Sequence, residues 1–115
     1  MSLTVRLRTQ TTAVKYNVYR IPSATCVLNA PINSEEGSEQ LTHYSRSYFV
    51  AALTPEDALD VVRADAAADG AALLDADAPE ESSASEIPVS AFQRVTVGRK
   101  RGVCWRSGRV FFPAA

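Results

Sequence analysis

The sequence predicts an α+β fold: a mostly antiparallel sheet, one main helix packed on it, and a C-terminal β-meander. Three observations carry this reading. Apolar and polar residues alternate repeatedly in the first half of the chain, the period of half-buried strands. Residues 54–70 carry helix punctuation at both ends. Short apolar runs separated by glycines return after residue 87. Elements mixed in this order suit an antiparallel sheet with helices laid on it.

The elements follow in chain order. Leu3, Val5 and Leu7 alternate with Thr4, Arg6 and Arg8, predicting a first strand. Residues 12–20 repeat the pattern with Val14, Tyr16 and Val18, and Pro22 is expected to end that strand. Residues 24–30 predict a short third strand, and 43–53 another. Between them, 31–40 is polar, acidic and glycine-bearing, and reads as a flexible loop.

The helix is the clearest local signal. Thr54 can cap the free amides of a first turn, and Pro55 suits the first helical position because its missing N–H is not needed there. Glu56 and Asp57 favour the positive end of the helix dipole. The helix should run over about 55–68 and stop at Gly70. Leu59, Val62 and Ala66 share one face, and Glu56, Asp60, Arg63 and Ala67 the opposite one.

Residues 71–76 predict a short strand after the helix. Residues 77–86 are acidic and serine-rich without large apolar groups, and read as a second flexible acidic loop. Gly98 and Gly102 bracket Arg99-Lys100-Arg101 as a basic hairpin turn. Ser107-Gly108, between the apolar runs 103–106 and 109–112, predicts a second hairpin. In that strand Val103 and Trp105 should face the core, with Cys104 and Arg106 on the other side. At 115 residues and near-average composition, 1–115 is expected to form a single domain.

No secretory signal opens the sequence, and no apolar run approaches the length of a membrane span, so a cytoplasmic protein without membrane contact is expected. Cys26 and Cys104 stand 78 positions apart and read as two small buried hydrophobes in a reducing compartment.

Charge is the most informative feature. Thirteen acidic residues oppose twelve basic ones, yet they are segregated. The balance is +2 over residues 1–53, −9 over 54–88 and +6 over 89–115. Such blocks either neutralise each other within the fold or leave an acidic patch that steers a basic partner. Asp65 and Asp69, four apart on the helix, repel each other by a few tenths of a kcal/mol, which supports an exposed acidic block.

The sequence offers little catalytic chemistry. The single histidine, His43, lies in a predicted strand and reads as a surface side chain with its polar edge in water. Cys26, His43 and Cys104 lack the close spacing of zinc ligands, and Asp75 and Asp77 lack the glycine and final glutamate of a calcium loop. No Walker A, GxGxxG or GxSxG pattern is present. No cofactor, metal or enzymatic activity is therefore expected.

The functional expectation is a small protein-binding domain, of the inhibitor or immunity type, that masks a basic protein. Its binding residues would be Glu56, Asp57, Asp60, Asp75, Asp77, Glu80 and Glu81. The alternative is a nucleic-acid-binding accessory protein that uses Arg94, Arg99, Lys100, Arg101, Arg106 and Arg109. A self-associating homodimer is the third class.

Overall fold

A computed structural model describes residues 15–33, 39–94 and 97–114. The strand predicted at Leu3–Leu7 lies outside them. The architecture is the α+β one expected, with one helix packed against an antiparallel sheet.

The sheet is built on two long neighbours, β1 (Asn17–Asn33) and β2 (Gln40–Ala52), paired antiparallel from Asn17↔Ala52 to Asn33↔Gln40. Four shorter strands line their outer edges. β3 (Ala71–Ala76) and β4 (Glu80–Ser82) lie end to end along β1. β5 (Gly102–Arg106) and β6 (Val110–Phe112) lie end to end along β2.

Pro22 does not end a strand. It sits at a bulge between Ile21 and Ala24, where the register shifts, so its missing N–H breaks no regular ladder bond. Its carbonyl accepts from Ser47 Oγ at 2.7 Å. The described part of the strand expected at 12–20 is therefore continuous with that expected at 24–30, and β1 continues to Asn33 into the predicted loop 31–40; residues 12–14 and 34–38 lie outside the described residues.

Helix α1 (Pro55–Ala68) has the predicted bounds. The Asp57 amide donates to Thr54 Oγ1 at 3.0 Å, and Gly70 takes a φ of +73°, the left-handed region open to glycine. The buried stripe is broader than read: Ala58 and Val61 join Val62 and Ala66, while Leu59 is half-buried. Ala58, Leu59, Val61 and Val62 pack on Tyr19, Ile21, Ala24, Tyr48, Val50 and Ala52 of the sheet, and Ala66 on Cys26, Tyr44 and Ala71.

The other face carries a smaller core of Val18, Phe49 and Ile87, with Val89, Val97, Cys104 and Trp105 against it. Residues 77–86, expected as an irregular loop, carry secondary structure. β4 pairs with β1, and a 3-10 turn at Ala84–Glu86, where the Ser83 amide donates to Glu86 Oε2 at 3.2 Å, delivers Ile87 to this core. The chain then makes a short helical turn, Ala91–Arg94.

The C-terminal strands do not pair as a hairpin with each other. The turn at 97–101 precedes β5, and among the described residues no strand of this sheet leads into it, residues 95–96 lying outside them. β5 and β6 both pair with β2, not with each other, and Ser107 fills the gap between them. Its N–H donates to Ser47 O at 3.0 Å and its Oγ accepts from Ser47 N at 2.8 Å. A register shift between Phe49 and Val50 also breaks the predicted alternation in β5. Cys104 joins Trp105 in the core, and Val103 is exposed.

Ile87 is fully buried although it follows a segment without large apolar residues. Ile87→Ala should destabilise the domain by about 3 kcal/mol, against less than about 0.5 kcal/mol for Leu74→Ala on the exposed outer edge, in paired urea denaturation curves.

Candidate functional site

The charged residues are best followed from the sheet outward. Tyr44, Arg46 and Tyr48 alternate along β2, and all three engage the helix-covered side of the sheet. Arg46 is almost fully enclosed, its side chain only 8% exposed. Its guanidinium lies 6.0 Å from the Tyr44 ring centre and 5.9 Å from that of Tyr48. Nε and Nη2 donate to Ser107 O at 2.9 and 2.7 Å, and Nη1 reaches Asp69 Oδ2 at 3.4 Å.

Arg106, at the end of β5, completes the arrangement. Its Nη1 contacts Asp65 Oδ1 at 2.6 Å and Asp69 Oδ2 at 3.4 Å. The other Asp65 oxygen accepts from Tyr48 Oη at 2.8 Å. Asp65 and Asp69 do not mark an exposed acidic block. Two arginines of the sheet neutralise them, which removes the repulsion expected from their spacing. At the other end of the helix, Arg101 grips Asp57 through Nε and Nη2, with contacts from 2.7 to 3.1 Å. That grip holds the Asp57 carboxyl below its ordinary pKa, assisted by the Leu53 amide that donates to it at 3.0 Å.

The seven acidic residues expected to bind a partner are thus divided. Asp57 serves Arg101, Asp60 pairs with Arg63 along the helix at 2.7 Å, and Glu80 pairs with Arg20 across β4 and β1 at 3.2 Å. Glu56, Asp75, Asp77 and Glu81 are exposed and form no ion pair among the described residues. Three of these four lie on or beside the β3–β4 edge.

The six basic residues of the alternative reading are also dispersed. Arg101 and Arg106 are held by the helix carboxylates, and Arg94 donates to Ile87 O at 3.2 Å. Arg109 lies 5.4 Å from the Tyr44 ring centre and 5.1 Å from that of Phe111. Arg99 and Lys100 sit on the 97–101 turn, at the far end of the β5–β6 edge from Arg109.

The two thiols are kept protonated. Burial pushes the Cys26 and Cys104 thiols up from their ordinary values, and both cysteines are free. His43 stacks on Phe112 at 5.4 Å and shares a 2.6 Å hydrogen bond with Thr42. Among the described residues no group of three or more His, Cys, Asp or Glu could hold a metal ion. No helix of the described chain is long and apolar enough to cross a membrane.

Arg46 escaped the sequence reading, although a signal for it exists. A charged residue between two tyrosines at period two, opposite a helix carrying Asp65 and Asp69, calls for an internal ion pair. No protein-family model matches the chain, and no curated protein or solved structure matches it either.

The tyrosines give the region an alkaline limit. Burial raises the Tyr44 hydroxyl from 10.0 to about 12, and its proton meets only the weakly accepting Cys26 thiol, without a hydrogen bond of ordinary geometry. Burial and the bond to Asp65 raise Tyr48 further. Above pH 10 the unfolded chain loses these protons while the folded chain keeps them, so stability falls as pH rises towards about 12. Tyr44→Phe should leave stability at pH 7 within about 1 kcal/mol of the parent and reduce this alkaline loss, as read by urea unfolding at both ends of the range.

Proposed function

We propose that this chain is a small binding domain without catalytic activity, an inhibitor or immunity-type protein that masks a basic protein partner. The observation that supports the reading is the charge left over after the fold has neutralised itself. No lysine or arginine occurs between Arg63 and Arg94. Asp65 and Asp69, at the start of that interval, are matched from the sheet. Asp75, Asp77 and Glu81 are not, and with Glu80 they follow one edge of the sheet.

An edge of this kind serves two ends. Its carboxylates discourage sheet-to-sheet aggregation. They also set up a one-signed field that draws a basic partner and makes the complex salt-sensitive. The basic residues of the C-terminal third offer less for nucleic acid, because Arg101 and Arg106 are occupied within the fold.

The test is a tagged capture from native lysate at moderate salt, with protein and nucleic acid both quantified. The reading expects one stoichiometric basic protein, lost when Asp75, Asp77 and Glu81 are all changed to lysine and kept when Arg99 and Lys100 are changed to alanine. Recovery of nucleic acid, or a partner indifferent to the acidic reversal, would overturn it. Sizing chromatography of the free domain across concentration separates this outcome from self-association.

A further inference from the structure

A cleft of about 740 Å³ opens at the end of the sheet where β1 begins. It is absent from the acidic-edge reading and independent of it. Three segments distant in sequence meet there: Lys15 and Tyr16 ahead of β1, Ser82 and Ser83 at the end of β4, and Val97 to Arg99 on the turn before β5. The Tyr16 amide donates to Gly98 O at 3.1 Å and ties the first segment to the third. Gly98 has a φ of +84°, and a Cβ there would stand 3.3 Å from the Tyr16 carbonyl oxygen, so the clasp depends on glycine.

The lining is amphipathic and positive. Val18 and Val97 supply apolar wall, Tyr16 an aromatic side chain, and Ser82 and Ser83 hydroxyls. Lys15 and Arg99 supply two cations, neither of which forms an ion pair with a described residue. Among the described lining residues there is no carboxylate, although acidic residues outnumber basic ones in the whole chain, and the Ser82 hydroxyl donates to Glu86 Oε2 at 2.6 Å beside the cleft. Its volume lies in the range of small-molecule sites, and its charge suits an anion.

We propose that this cleft binds a small organic phosphate, a phosphate group joined to a planar ring, of the size of a nucleoside diphosphate. Arg99 and Lys15 take the phosphates, the arginine through its paired N–H groups. Tyr16 and the two valines take the ring. A single carboxylate or inorganic phosphate would leave most of the cleft unfilled.

Calorimetric titration of the full chain with ADP tests this, with adenosine, pyrophosphate and a single-stranded oligonucleotide as separate arms. The expected result is saturable 1:1 binding of ADP, tighter than that of adenosine or pyrophosphate. The double variant Lys15→Ala/Arg99→Ala should weaken ADP roughly tenfold or more, and Arg109→Ala should not. Tyr16→Leu should weaken ADP and adenosine while leaving pyrophosphate unchanged. All of these positions but Tyr16 are exposed, so the variants should retain the parent circular dichroism spectrum. No saturation with ADP at roughly millimolar concentration, or unchanged affinity in the double variant, would overturn the proposal. Pyrophosphate binding as tightly as ADP would overturn the role of the ring. An oligonucleotide binding more tightly than ADP would overturn the small-molecule assignment in favour of nucleic-acid backbone.

Discussion

Two arginines of the sheet and two aspartates of the helix set how these layers meet. Arg46 and Arg106 reach Asp69, Arg106 also reaches Asp65, and Asp65 accepts from Tyr48. Each partner has a place in the fold to keep. Arg46 also holds the Ser107 carbonyl, and so fixes the point at which the outer edge breaks into β5 and β6. Removing either acid would leave a sheet arginine short of its counter-charge, Arg46 in a nearly enclosed position where that is costly. The apolar contacts of Ala58, Val61, Val62 and Ala66 supply the hydrophobic driving force. They are small and similar in shape, so the directional charge contacts define the helix's rotation and position.

How much of this was legible in the sequence follows from how local each signal is. The helix was read to the residue, because Thr54, Pro55 and Gly70 act through their immediate neighbours. In sequence Pro22 signals a strand end, whereas in the fold a bulge accommodates it inside an internal strand, so the strands run longer than their local pattern. The acidic stretch 77–86 looked unable to order itself because it has no large apolar group. Its order comes from backbone pairing with β1 and from the Ser83–Glu86 hydrogen bond, neither of which needs apolar residues. The C-terminal strands were found but mispaired, since Ser-Gly between two apolar runs reads alike whether the runs pair together or share a third strand.

The site was less legible than the fold for the same reason. The segregation of charge is plain in the sequence, but which charges cancel depends on contacts between residues 23 to 60 positions apart. Of the acidic residues singled out, Asp57, Asp60 and Glu80 have cation partners, while Glu56, Asp75, Asp77 and Glu81 have none among the described residues. The cleft beside Tyr16 was invisible, because Lys15 and Arg99 become neighbours only when β1 and the 97–101 turn are clasped at Gly98.

The acidic helix and the basic C-terminal third neutralise each other inside the domain. A double-mutant cycle on Arg106→Ala and Asp65→Ala, read by urea unfolding at low salt, tests it most directly. A favourable coupling of about 1 kcal/mol that shrinks as salt is added is the predicted result. Additive single effects, with no coupling at any salt concentration, would contradict it.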